Sequence, residues 1–462
     1  MKKVFIFLLI TLQPIFSQNI VTDTIVHEVE RKETLFSISQ KYNININDIL
    51  ELNPQLRDSR LKRKSKILIP LVESIQERIL VEKDSLSSEE DLFRLDSIFV
   101  KKRKRDNQLN LSVLLPFRSN TVNYDSIEEV ESLFEDRNLY TITLDLYSGI
   151  LYAIEDLREF DVSINLNVFD TENSINKINE ISSENSVKDS DVIIGPLIPR
   201  NFETFSNIEL LESIPKVFPL STIPIKIIKG VIQSVTPKNL LRERMINYLD
   251  KNLDREENIV IIADSLNNEI ESKLSEIFPN SIKIKPEFEG YILPELLDSL
   301  LVDSLPNKVI VESEIFTLIS SVVSQLNSQI TSERDVKLYT TYRGNQYDDP
   351  SINIKDLGNL AFTYTSISKK INNDSISKFE SRYLNLFGSL PNKDVIRGYD
   401  VTKDILLRVL IDKNLNRTTK YDEQSYTESK FLYKKDTLGG LFNSSMFILR
   451  HREYDIEEII NQ

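Results

Sequence analysis

The chain has no cysteine, two histidines and only ten glycines among its 462 residues. Without cysteine there is no disulfide, no thiol nucleophile and no lipid attached to an N-terminal cysteine. Stability must come from the core, which this length allows. The histidines, His27 and His451, each lack a second histidine at helical metal-ligand spacing, so a zinc peptidase or amidase is not expected. A Ser-His-Asp arrangement would need one of them beside an activated serine, and no Gly-x-Ser-x-Gly elbow occurs. Gly-x-x-x-x-Gly-Lys-Ser/Thr and Gly-x-Gly-x-x-Gly loops are missing too, so neither nucleotide chemistry nor a cofactor is expected. With 71 acidic residues a two-carboxylate glycosidase stays formally open, though nothing in the later part of the chain favours it. A non-enzyme is the expectation.

The net charge of −14 argues against broad nucleic-acid binding. Beyond the N-terminus no apolar run is long enough to span a bilayer. The first residues read as a targeting segment. Lys2-Lys3 supply positive charge, Val4 to Leu12 the apolar run, and Pro14 to Gln18 the polar end. This is the form of a secretory signal peptide, residues 1–17, with cleavage after Ser17. The expectation is an exported protein of the periplasm or cell envelope.

The most informative stretch is 26–70. His27 to Glu30 alternates like a short strand, and Thr34 can cap a helix whose Leu35, Ile38 and Tyr42 share one face. Asp48 opens a second short helix that Asn53-Pro54 stops, and Ile67-Leu68-Ile69 makes a closing strand ended by Pro70. This order, with Thr34-Leu35, Leu52-Asn53-Pro54 and Leu68-Ile69-Pro70, closely resembles the lysin motif, LysM. Lys32-Glu33-Thr34-Leu35 stands where the family usually has Gly-Asp-Thr-Leu, and Lys64 replaces a common glycine. The resemblance implies a small βααβ module binding N-acetylglucosamine-containing glycans, in bacteria usually peptidoglycan. It implies groove positions at Lys32, Glu33, Thr34, Leu35, Asn53 and Pro54.

Residues 71–107 read as a charged linker, with possible helical stretches around Ile75–Leu80 and Leu92–Val100, ending in the basic run Lys101–Arg105. From Leu109 the texture becomes α/β. Strand signals at Leu111–Leu115, Ile164–Phe169, Asp191–Ile194, Pro215–Leu220, Ile259–Ala263, Lys308–Val311 and Val336–Thr340 alternate with helical segments. That alternation means right-handed βαβ units and parallel sheets. Phe379-x-x-x-Tyr383, Gly398-Tyr399-Asp400, Tyr147-Ser148-Gly149 and Ile194-Gly195-Pro196-Leu197 then resemble type I periplasmic binding proteins of the branched-chain amino acid kind. The resemblance covers roughly 108–462 and implies two lobes joined by three crossovers, expected near 235, 355 and 420.

Open α/β sheets bind ligands at the carboxyl ends of their strands, which nominates Gly195, Pro196, Leu197, Ser221, Thr222, Asp264 and Ser265 as a cleft. Serine and threonine hydroxyls there suit a ligand carboxylate. Yet Asp264-Ser265-Leu266 lacks the Tyr-Gly usual to those proteins, and scarce glycine leaves little room for close backbone approach. Two readings of the large domain follow. It presents a cleft for a small solute, or it has lost that cleft and binds a protein such as a wall synthase or hydrolase.

Overall fold

The computed structural model describes residues 23–29, 38, 49–50, 52–56, 64–71, 94–102, 107–286, 290–370 and 376–460. The expected signal segment, residues Lys32 to Leu35 and the end of the basic run lie outside them. The chain divides into two units, Met1–Leu92 and Phe93–Gln462.

In the first unit β1 (Asp23–Glu28) pairs antiparallel with β2 (Lys66–Leu71), His27 opposite Ile67. Val29, Ile38, Ile49 and Ile67 form its core, with Leu56 against it. Asn53 ties the turn to β2. Its Nδ2 donates to the carbonyls of Ile49 at 2.7 Å and Leu68 at 2.6 Å, and its Oδ1 accepts from the Leu68 N–H at 2.8 Å. Lys64, where glycine is common in the resembled family, has φ +65°, the left-handed region that a Cβ disfavours. Lys64→Gly should therefore stabilise this unit by about 1 kcal/mol, read as a raised melting midpoint of the isolated segment. An unchanged or lowered midpoint would contradict that reading.

The second unit contains two sheets of seven strands each. In lobe 1, β3 (Gln108–Leu115), β4 (Ser163–Asp170), β5 (Val192–Ile194), β6 (Lys216–Phe218) and β7 (Val231–Gln233) run parallel. In lobe 2, β8 (Asn258–Ala263), β9 (Ile282–Ile284), β10 (Asn307–Glu312), β11 (Val336–Tyr339) and β12 (Thr363–Ser366) do the same. The central strands are uninterrupted apolar runs because both faces are covered by helices. Val260, Ile261 and Ile262 are all fully buried. A small hairpin, β13 (Gln424–Ser425) with β14 (Lys430–Phe431), follows. Then β15 (Tyr433–Lys435) and β16 (Leu441–Asn443) complete the first sheet, and β17 (Phe447–Arg452) and β18 (Asp455–Glu458) the second. The α/β class and the two-lobed, parallel-dominated architecture are those expected from the sequence.

Two expectations need correcting. The first concerns the linker. Leu95–Lys102 is a helix whose Leu95 and Phe99 are buried in the lobe 1 core, with the Phe99 ring 6.4 Å from Phe160. The Leu95 N–H donates to Gln424 Oε1 at 2.8 Å. The large unit thus begins before Gln108, because an i, i+4 apolar pair outweighs the charges around it. The second concerns the crossovers. The first lies between β7 and the helix Lys238–Asn252. The second falls between β12 and the helix Lys378–Phe387, and the third between β16 and β17, both later than 355 and 420. The second crossing follows β12, which pairs with β11 in the second sheet, and the third follows β15 and β16, which complete the first.

Lobe 1 is braced by the helices Leu139–Arg158 and Lys393–Ile411, which pack face to face. A Cβ on Gly149 would lie 2.0 Å from the Val395 carbonyl, and one on Gly398 would lie 2.4 Å from that of Leu146. Glycine at both positions lets the backbones touch.

Candidate functional site

The strand ends expected to form a cleft are mostly satisfied by their own protein. After β5, Gly195 has φ +95°, and a Cβ there would meet the Leu114 carbonyl at 2.1 Å. Glycine there is required by packing against β3. Pro196 and Leu197 are buried.

After β6, Ser221 Oγ accepts from the Ile223 N–H at 3.1 Å, and the Ser221 carbonyl accepts from Gln233 Nε2 at 3.2 Å. Gln233 also holds the Ile223 carbonyl at 2.9 Å. The Thr222 carbonyl accepts from the Lys238 N–H at 2.8 Å, across the first crossover. The Thr222 hydroxyl lies 3.0 Å from the Tyr342 hydroxyl of lobe 2. That contact joins the two lobes.

After β8, Asp264 is buried, and both carboxylate oxygens are occupied. Oδ1 accepts from the Leu266 N–H and from Asn267 Nδ2, each at 2.9 Å, and Oδ2 accepts from Ser313 Oγ at 2.7 Å. Ser265 beside it is exposed. A buried carboxylate that already accepts from three donors inside its own lobe has little accepting capacity left for a ligand ammonium.

Lobe 2 adds residues the strand-end rule could have nominated but did not. Glu312, at the end of β10, is buried and accepts from the Thr341 N–H at 2.6 Å and the Thr341 hydroxyl at 2.7 Å. Arg242 Nη1 lies 3.5 Å from its Oε2. Burial pushes the Glu312 carboxyl above its ordinary value, and Arg242 opposes that shift. Tyr342 follows β11, with Lys238 Nζ 4.4 Å from its ring centroid. Asp348 receives Arg343 at 2.6 Å within lobe 2 and Lys393 of lobe 1 at 3.7 Å. Thr222–Tyr342 and Lys393–Asp348 are therefore contacts between the lobes.

A surface cavity of about 410 Å³ does exist, lined by Asn173, Ser174, Asn176, Ile198 and Arg200 among others. It belongs to lobe 1 alone, and none of the expected cleft residues lines it. Asn201, which also lines it, already donates from Nδ2 to Asn173 Oδ1 at 2.9 Å.

In the first unit Pro54 is exposed, whereas Asn53 is buried and closes the fold as described. Among the described residues no group of three or more His, Asp or Glu could hold a metal ion. No described helix is long and apolar enough to cross a membrane.

The match that decides the first unit is to a protein-family model, described as LysM domain, over residues 27–70. Residues 27–70 are a LysM domain. No curated protein matches the chain. Among solved structures, the chain is similar to a putative branched-chain amino acid ABC transporter from Rhodospirillum rubrum. Identity there is 11% and the TM-score 0.52, covering 77% of this chain and 100% of that one. An ABC transporter substrate-binding protein from Desulfitobacterium hafniense in complex with Leu matches at 13% identity and TM-score 0.46, over 76% and 100%. Full-length LpoA from Haemophilus influenzae matches at 12% and 0.49, over 83% of this chain and 65% of that one. Identities this low speak for the fold alone, and the first alignment carries it. Beyond the LysM domain, the large unit has the type I periplasmic-binding-protein-like fold.

Proposed function

We propose that this is a non-catalytic cell-envelope protein, held on peptidoglycan by its LysM domain, whose large unit works through protein contact. The N-terminal segment Lys2–Ser17 supports export. The observation that carries the protein-contact reading is the state of the cleft. Ser221, Thr222 and Asp264, the groups a bound amino acid would need, are all engaged with Ile223, Tyr342, Leu266, Asn267 and Ser313. A solute would have to displace these hydrogen bonds, and each one lost without replacement costs about 1–3 kcal/mol. Anchoring supplies the rest of the mechanism. A domain tethered to the wall meets wall-building or wall-cleaving enzymes at high local concentration, so modest affinity suffices.

The anchoring half is tested by co-sedimentation with insoluble peptidoglycan. The full chain should pellet at low and moderate salt, and a chain lacking residues 18–70 should stay in the supernatant. Thr34→Ala and Pro54→Ala are the variants to compare, since Asn53→Ala would open the fold and confuse the result. A full chain that stays in the supernatant at both salts contradicts the anchor.

A further inference from the structure

The two seven-stranded sheets of the large unit have four edge strands among the described residues, and three are guarded against pairing with another chain. β9 has three residues and an exposed central Lys283. β15 has three residues and ends in Lys434-Lys435. β18 carries Asp455, Glu457 and Glu458 among its four residues. Short length and charge are the usual means of blunting an edge. β4 has neither. It runs for eight residues, Ser-Ile-Asn-Leu-Asn-Val-Phe-Asp, with no charge before Asp170 in a chain that is 28% charged. Among the described residues it pairs with β3 alone.

The direction of its free groups can be read from its ends. The Ser163 N–H donates to the Asn107 carbonyl and the Thr171 N–H to the Leu115 carbonyl, both at 2.9 Å and both toward β3. Backbone groups alternate along a strand, so the odd residues face β3 and Ile164, Leu166 and Val168 direct N–H and C=O outward. Val168 is 40% exposed.

We propose that β4 pairs antiparallel with β4 of a second copy of this chain, about a two-fold axis at Leu166. In that register Leu166 meets Leu166 and Ile164 meets Val168, so outward residues face outward residues as a hydrogen-bonded pair requires. The same register sets Asn165 opposite Asn167 on the other face. An amide row already starts there, with Asn165 Nδ2 donating to Asn110 Oδ1 at 3.2 Å. The partner's Asn167 would continue it. An isologous interface needs such self-complementarity, and an uncharged strand avoids setting like charges opposite each other in two acidic chains.

The test uses the full chain. Sedimentation velocity across the micromolar range should show a concentration-dependent dimer. Val168→Lys, which adds the guard the other edges carry, should leave a monomer with an unchanged circular dichroism spectrum. Leu166→Pro should do the same, because the N–H it removes faces away from β3. Asn165→Cys/Asn167→Cys should form a disulfide-linked dimer on mild oxidation. Such non-hydrogen-bonded pairs place Cα atoms about 4.5 Å apart, within disulfide reach. Asn110→Cys, one strand inward, should not cross-link. A chain that stays monomeric throughout overturns the proposal, as does a dimer that survives both Val168→Lys and Leu166→Pro.

Discussion

Replacing Arg408 with leucine is expected to destabilise the large unit by about 3–5 kcal/mol, because it strands a buried carboxylate. Arg408 and Asp404 lie one turn apart on the helix Lys393–Ile411, with side chains 2% and 0% exposed. Arg408 Nε donates to Asp404 Oδ2 at 2.8 Å, Nη2 to Oδ1 at 3.1 Å, and Nη1 to the Thr418 carbonyl at 3.0 Å. The guanidinium also lies 4.9 Å from the Tyr433 ring centroid, and the Tyr426 hydroxyl donates to Asp404 at 3.1 Å. Burial pushes the Asp404 carboxyl up, and Arg408 is the charge that opposes it. With the arginine gone, the carboxyl is expected to protonate more readily in the folded state than in the unfolded one. The variant's deficit should then grow as pH rises above the carboxylate range and shrink in acid. Asp404→Leu/Arg408→Leu should lose less than Arg408→Leu alone, since no charge is left buried. Denaturant unfolding of the three proteins at two pH values checks this. A deficit under about 1 kcal/mol for the single variant would show the pair to be far better solvated than its burial implies.

The second large effect is sensitivity to mild acid through His451. This histidine is 2% exposed, and neither ring nitrogen has a hydrogen-bond partner. Its ring centroid lies 5.7 Å from that of Phe362 and 5.8 Å from that of Tyr364. Burial, assisted by the positive charge of Arg343, lowers its pKa from 6.5 to about 4. Between those values the unfolded chain binds a proton that the folded chain refuses, so stability falls as pH falls through that window. The full effect is about 3 kcal/mol, at roughly 1.4 kcal/mol for each pH unit. It is absent above the unfolded value. His451→Phe keeps the ring packing and should flatten this part of the profile. Depressed carboxyls such as Asp156, Asp170 and Glu458 act in both proteins, so the difference between the two profiles isolates the histidine. Parallel profiles between pH 4 and 6.5 would contradict the assignment.

Strands carrying their own apolar signal were legible in the sequence. Asn258–Ala263 and Asn307–Glu312 are buried on both faces and read as continuous runs; the amphipathic helix Leu139–Arg158 was equally plain. What escaped was the stretch from β13 to β16, where strands of two or three residues are positioned by side chains instead of a pattern. Asn443 shows why. Its Oδ1 accepts from the Leu432 and Ser445 N–H groups at 2.9 and 3.0 Å, and its Nδ2 donates to the carbonyls of Ser234 and Lys430 at 3.1 and 2.9 Å. No periodicity announces such a knot. The strand-end rule likewise found Ser221, Thr222 and Asp264, but their partners come from distant segments. Gln233, Ser313 and Tyr342 lie 12, 49 and 120 residues along the chain from the groups they meet. Burial of Asn53 was hidden for the same reason, since its partner Leu68 arrives from the last strand of the domain.

The central claim, that the space between the lobes no longer serves a solute, is tested most directly by thermal shift of the full chain. The ligands are the free amino acids, small peptides and muropeptides, each at millimolar concentration. A micromolar ligand present at about a thousand times its Kd would stabilise the native state by about 4 kcal/mol, an unmistakable rise in the midpoint. The expected result is no rise with any of them, for the wild type and for Ser221→Ala/Thr222→Ala alike. A clear rise with one amino acid, abolished in that double variant, would contradict the account and restore the large unit to the solute-binding class.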